Sequence, residues 1–211
     1  LEGANTNLLR QSVQLQTSAR VSREITSILQ IDDLLRQVVR LIRDAFGYAR
    51  VQVYLVDPTA GDLTLRASST LSKPEFQRLR IGEGSLNGEA AQSGQPVVSN
   101  DVASDPRYLP DDSGPAIRSE LVIPLRVGGM VIGTLDVHSC ESNAVGEGDV
   151  LVIQSLADQT AVAIQNTRLY DRSRQLVALE ERGRLARELH DSVTQMIFGM
   201  TLTAESARLL L

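Results

Sequence analysis

From Asp149 to Leu211 the chain runs for some sixty residues without a proline, and only Gly183 and Gly199 interrupt it. At its start Val150, Ile153, Leu156, Ala157, Ala161 and Ile164 recur at intervals of three and four, the spacing of one helical face. An ordinary globular helix has roughly 8–20 residues, so one helix, or two in series, of this length exceeds what a single small core can cover and points to coiled-coil association. A heptad frame fits the distal part: Ala186, Val193, Met200 and Ala207 fall at one seam position, and Leu189, Met196, Thr203 and Leu210 at the other. His190 then lies beside the seam on the outer rim, with Asp191 next to it and Gln195 one helical turn beyond Asp191.

The other end of the chain is helical too. Residues 7–29 hold no Gly or Pro and place Leu8, Leu15, Ser22 and Leu29 seven apart, a soft heptad. A second run follows, with Asp32 as the expected N-cap, apolar Leu34, Leu35, Val38, Val39, Leu41 and Ile42, and Gly47 as its terminator.

Between these helices the period drops to two. Val51, Val53 and Leu55 alternate with Gln52 and Tyr54, a polar turn spans residues 57–62, and Leu63 and Leu65 resume the alternation, which predicts a hairpin. Short helices are expected over Ser72–Leu79 and Leu86–Gln92, the second ended by Gly94, and a short strand over Pro96–Ser99. Residues 100–118, rich in Asp, Pro, Ser and Gly, predict a long loop lying as a lid over a pocket. Leu121–Leu125 and Met130–Val137, joined by Gly128-Gly129, form a second hairpin, since paired glycines supply the positive φ of a tight turn. The fold class that follows is α+β: an antiparallel sheet of at least five strands with flanking helices, set between helical extensions.

Composition excludes several functions. With 21 basic against 26 acidic residues, a net charge of −5 and 3 % aromatics, the chain lacks the basic stripe and stacking rings of a nucleic-acid binder. One cysteine, Cys140, makes no internal disulfide, and two histidines leave a Cys/His zinc site short of ligands, so no metal is expected. No run approaches the roughly 18 apolar residues of a membrane helix, and Leu1-Glu2-Gly3 does not open a signal peptide; a cytoplasmic location is expected, with any membrane anchor confined to segments upstream. The start on Leu1 and the stop within a helical pattern read as a piece of a longer protein.

The middle of the chain, roughly residues 31–168, resembles a GAF domain, a relative of the PAS sensor fold. The resemblance rests on Ile81-Gly82-Glu83-Gly84-Ser85-Leu86-Asn87-Gly88 followed by Gly94-Gln95-Pro96-Val97, on Ser119–Leu125 and on Val131–Val137. It implies a small ligand held between sheet and covering loops, of unknown identity, with Tyr108, Ser119, Glu120 and His138 as the polar lining expected by position. A bilin is not expected, because Cys140 follows His138 at the exit of a strand and reads as a surface thiol; nor is haem, because the loop 100–118 has no His to serve as an axial ligand. Gly82-x-Gly84 is too short for a phosphate-binding loop and lacks its Lys. A redox or cyclic-nucleotide enzyme ranks low, since the domain shows neither paired carboxylates nor an activated Cys.

The run from Glu180 to Gln195, with Arg184-Leu185-Ala186-Arg187-Glu188-Leu189-His190-Asp191 at its centre, resembles the phosphoacceptor box of sensor histidine kinases that pair with NarL-type response regulators. The resemblance implies that His190 accepts the γ-phosphoryl group of ATP and passes it to a regulator aspartate, that Asp191 serves as base or orienter, and that Gln195 positions water during dephosphorylation. Residue chemistry agrees, because a neutral imidazole is a competent nucleophile near pH 7 and a neighbouring carboxylate steadies the charge that develops on it. Three segments are therefore expected: a signalling helix over 1–30, a GAF sensor over 31–168, and a linker helix with the start of a dimerisation and phosphotransfer domain over 169–211. The expected partners are a second copy, joined through the helices, and a NarL-type regulator. No cofactor is expected in this stretch of chain, ATP and Mg belonging to the catalytic domain of the parent kinase; the alternative is a ligand-free GAF scaffold that relays signals from upstream.

Overall fold

The computed structural model describes residues 30–70, 78–82, 84–110 and 115–208, the last helix without side chains at 186–189 and 191–208. The expected helix over 7–29, most of that over 72–79, and the side chains of Asp191 and Gln195 lie outside the described residues.

Helix α1 (Ile31–Phe46) leads into strands β1 (Arg50–Val56), β2 (Leu63–Ser68) and β3 (Arg78–Leu79). Then come helix α2 (Leu86–Ser93), strands β4 (Val97–Ser99), β5 (Ser119–Val127) and β6 (Met130–Ser139), and helix α3 (Glu147–Arg208). The strands form one antiparallel sheet in the order β3-β2-β1-β6-β5-β4, so β1 and β6 pair at its centre although the rest of the sheet lies between them in sequence.

Local chemistry explains the boundaries. Gly47 adopts the left-handed conformation at φ 73° and its N–H donates to the Arg43 carbonyl, closing α1 as the sequence predicts. Asp32 is not the N-cap: that position falls two residues earlier, at Gln30, and Asp32 and Asp33 occupy the first turn of α1, where carboxylates offset the helix dipole. Asp32 also accepts from Arg66 of β2 at 2.6 Å. Gly128 and Gly129 turn at φ 57° and 86°, as the hairpin requires. The expected helix over Ser72–Leu79 is corrected at its end, where Arg78 and Leu79 pair with Thr64 and Leu63 as β3; the ladder beside β2 overrides local propensity.

One face of the sheet carries the main core. Val51, Val53, Leu55, Leu121, Ile123, Leu125, Leu135 and Val137 meet Leu34, Leu35, Val38, Val39 and Ile42 of α1 and Ile153, Leu156, Ala157, Ala161 and Ile164 of α3. Smaller apolar clusters, around Leu63 and Leu65 and around Leu86 and Val122, flank the opposite face. The described residues divide into two compact units between Thr167 and Arg168. Among them no helix is long and apolar enough to cross a membrane.

Candidate functional site

Because strand side chains alternate between faces, the partners of the core residues must point the other way. In β1 these are Arg50, Gln52 and Tyr54, in β6 Thr134, Asp136 and His138, and in β5 Glu120. Register then brings them together. Arg50 lies opposite His138 and Gln52 opposite Asp136 on one side of β6, and Glu120 lies opposite His138 on the other. All are almost fully buried, Asp136 at 1 % exposure, His138 at 3 % and Glu120 at 5 %. All of these but Thr134 line a small cleft that opens to solvent, completed by Leu86 and Asn87 of α2 and by Arg107 and Leu109 of the loop after β4.

The charges in this cleft are held close. His138 Nε2 is 3.5 Å from Asp136 Oδ1 and 3.7 Å from Glu120 Oε2. Burial raises the Glu120 carboxyl well above its ordinary range, the neighbouring Asp136 carboxylate raises it further, and the Arg50 guanidinium opposes both. Asp136 is oriented from outside: Thr134 Oγ1 donates to Asn87 Oδ1 at 2.6 Å, and Asn87 Nδ2 donates to Asp136 Oδ2 at 2.8 Å. Its other oxygen, Oδ1, and the Gln52 amide nitrogen have no hydrogen-bond partner among the described residues, an expensive condition for buried polar atoms unless a guest completes them.

Arg107 fastens the loop over the cleft. It reaches Glu89 of α2 at 2.6 Å and forms a two-pronged contact with Asp105 at 2.9 and 2.6 Å. The guanidinium holds the Asp105 carboxyl well below the usual carboxylate range. Residues 111–114 of the expected lid lie outside the described residues.

Of the pocket residues expected from position, Glu120 and His138 line the cleft. Ser119 is buried at the end of the sheet, where its hydroxyl donates to the Glu141 carbonyl at 2.7 Å; as the neighbour of Glu120 on a strand it points to the other face. Tyr108 is half-buried between Arg107 and Leu109, which take the lining positions instead. Sequence reasoning missed Arg50, Gln52, Asn87, Asp136 and Arg107. The alternation in β1 exposes Gln52 as an off-core position, but only the pairing of β1 with β6 sets it beside Asp136. The expectation of no metal counted Cys and His and left out carboxylates. Cys140 is exposed.

In the second unit His190 lies on α3 and is exposed. Asp191 and Gln195 follow on the same helix. About two turns upstream, Arg184 grips Glu181 through two contacts of 2.6 and 2.9 Å. The helix between Arg168 and Leu185 presents Leu169, Tyr170, Leu176, Val177, Leu179 and Leu185 to solvent, each 44 % exposed or more. Leu169 and Leu176, and Tyr170 and Val177, stand seven residues apart, the spacing of a helix seam.

Comparison with known proteins matches these two regions separately. Residues 29–165 match the family described as GAF domain, and residues 181–211 match the family described as Histidine kinase. A sensor histidine kinase of Bacillus subtilis, YhcY, is 38 % identical over 94 residues, which are 44 % of this chain and 25 % of that protein. The chain thus spans about a quarter of the length of that relative. Among solved structures, the GAF domain of a phosphoenolpyruvate-protein phosphotransferase from Coxiella burnetii superposes with a TM-score of 0.70 at 21 % identity, over 75 % of this chain and 96 % of that one. A free methionine-R-sulfoxide reductase from Neisseria meningitidis superposes with a TM-score of 0.67 at 24 % identity, over 76 % and 93 %. Those two likenesses bear on the fold alone.

Proposed function

Because the chain belongs to the GAF domain family and also carries a histidine kinase match, we propose that it is the sensory and phosphoacceptor part of a two-component sensor histidine kinase, with His190 as the acceptor. The observation that carries this reading is an exposed imidazole on a helix inside the matched stretch, next to Asp191. In the reaction proposed, a neutral imidazole nitrogen of His190 attacks the γ-phosphorus of ATP in line as the bond to the β–γ bridging oxygen breaks, and ADP leaves with that electron pair. Asp191 steadies the positive charge that develops on the ring, and the phosphoryl group then passes to an aspartate of a NarL-type regulator. Gln195 positions the water that later hydrolyses the regulator's phosphoaspartate. ATP and Mg²⁺ are brought by the catalytic domain of the kinase, and phosphotransfer is expected to need that domain.

The cleft is the proposed input. The alternation of residues in β6 links the two activities: Asp136 and His138 face the cleft, while Leu135 and Val137 pack against the helices. A guest that moves β6 therefore moves the seat of α3, and through α3 the presentation of His190. A ligand-free scaffold would fill this space with apolar side chains; buried charges favour sensing instead. The exposed seam around Leu169 and Leu176 favours pairing of two copies through their helices. The test supplies a compatible kinase catalytic domain with labelled ATP: label is expected on the chain and is expected to fall to background in His190→Gln. Retained labelling in that variant overturns the assignment.

A further inference from the structure

We propose that Glu120, Asp136 and His138 form a binding site for one first-row divalent transition-metal ion in the GAF cleft. Each offers one donor atom, and the three atoms lie within 4.8 Å of one another. Bonds of roughly 2.0–2.1 Å to one ion imply donor separations of about 3.0–3.4 Å, so the observed 3.5 and 3.7 Å from His138 need to close by only a few tenths of an ångström. One imidazole nitrogen with two carboxylate oxygens suits Zn²⁺, Fe²⁺ or Mn²⁺ and leaves further coordination positions open.

Two observations beyond the cluster point to a guest. Asp136 is 1 % exposed, its Oδ1 lacks a hydrogen-bond partner among the described residues, and it is Oδ1 that stands 3.5 Å from His138. Its other oxygen is held by the relay from Thr134 through Asn87, the kind of outer support that orients a ligating carboxylate. Gln52, 3 % exposed, lines the same cleft with an amide nitrogen that also lacks a partner, placed to donate to a water or anion completing the metal's shell. Bound to the ion as carboxylates, Glu120 and Asp136 supply two negative charges, matching those of a divalent ion. Arg50, close enough to act electrostatically on Glu120, adds one positive charge, so a small anionic co-ligand restores neutrality.

This inference deepens the sensory reading and rests on it only for its role; binding is measured without phosphotransfer, so the two fail separately. The experiment titrates Zn²⁺ and Mn²⁺ into the chelator-treated chain by calorimetry and records the visible spectrum with Co²⁺. One ion per chain is expected, with nitrogen and oxygen ligation in the Co²⁺ bands. Affinity is expected to fall at least tenfold in His138→Gln and Asp136→Asn, and by about 10–100-fold in Asn87→Ala, while His190→Gln leaves it unchanged. Circular dichroism checks that each variant folds, and the Co²⁺ spectrum of the unaltered chain stands even if one does not. No stoichiometric binding, equal affinity in His138→Gln and Asp136→Asn, or a native mass spectrum showing an organic amine that excludes the ion overturns the proposal.

Discussion

The two faces of the central sheet are built from the same strands and have opposite characters. Leu135 and Val137 sit in a dry core beneath α1 and α3, while Asp136 and His138, one residue away each, sit among buried charges on the other side. The first face obeys the rule that apolar surface leaves water. The second violates the rule that charges stay solvated, and such violations are expected where a protein binds something rather than where it gains stability. The difference teaches that a dry core and a cluster of buried charges can be separated by no more than the pleat of a strand.

That contrast can be broken experimentally. The largest effect is expected on the core face: Leu135→Ala should lower unfolding free energy by about 2–5 kcal/mol in a urea titration. Across the pleat, Asn87→Ala removes the donor to Asp136 Oδ2 and should cost less, about 1–3 kcal/mol. Glu120→Gln should cost little and change the pH dependence instead. The folded-state pKa of Glu120 lies above its unfolded value, so its favourable contribution is complete below the unfolded pKa and is lost as pH rises toward the folded one. The variant should lose this slope and gain on the unaltered protein as pH increases, which thermal melts across pH would show. Smallest of all, Asp32→Ala deletes a half-exposed ion pair with Arg66 and should shift stability by about 1 kcal/mol or less. If Glu120→Gln proved as damaging as Leu135→Ala, the division between faces would fail.

Much of this organisation is legible before any coordinates. The stripe of α1, the stops at Gly47 and Gly94, the turn at Gly128-Gly129 and the alternation of β1 are all local signals, and each appears in the fold. Glu120 and His138 each lie one residue outside an expected strand, and their cross-strand neighbours could not be placed, because the pairing of β1 with β6 joins segments some eighty residues apart. Asp136 falls within the expected strand two residues before His138, so alternation puts both on one face, but only the register shows that this face meets Gln52 and Glu120 rather than water. The end of the expected Ser72–Leu79 helix fails in a related way, since a two-residue strand exists by virtue of its partner.

Among the described residues, the outermost strands of the sheet are its shortest, β3 with two residues and β4 with three. A margin that brief offers almost no free backbone ladder onto which a foreign strand could zip. Fibre-like stacking from the sheet is thereby discouraged.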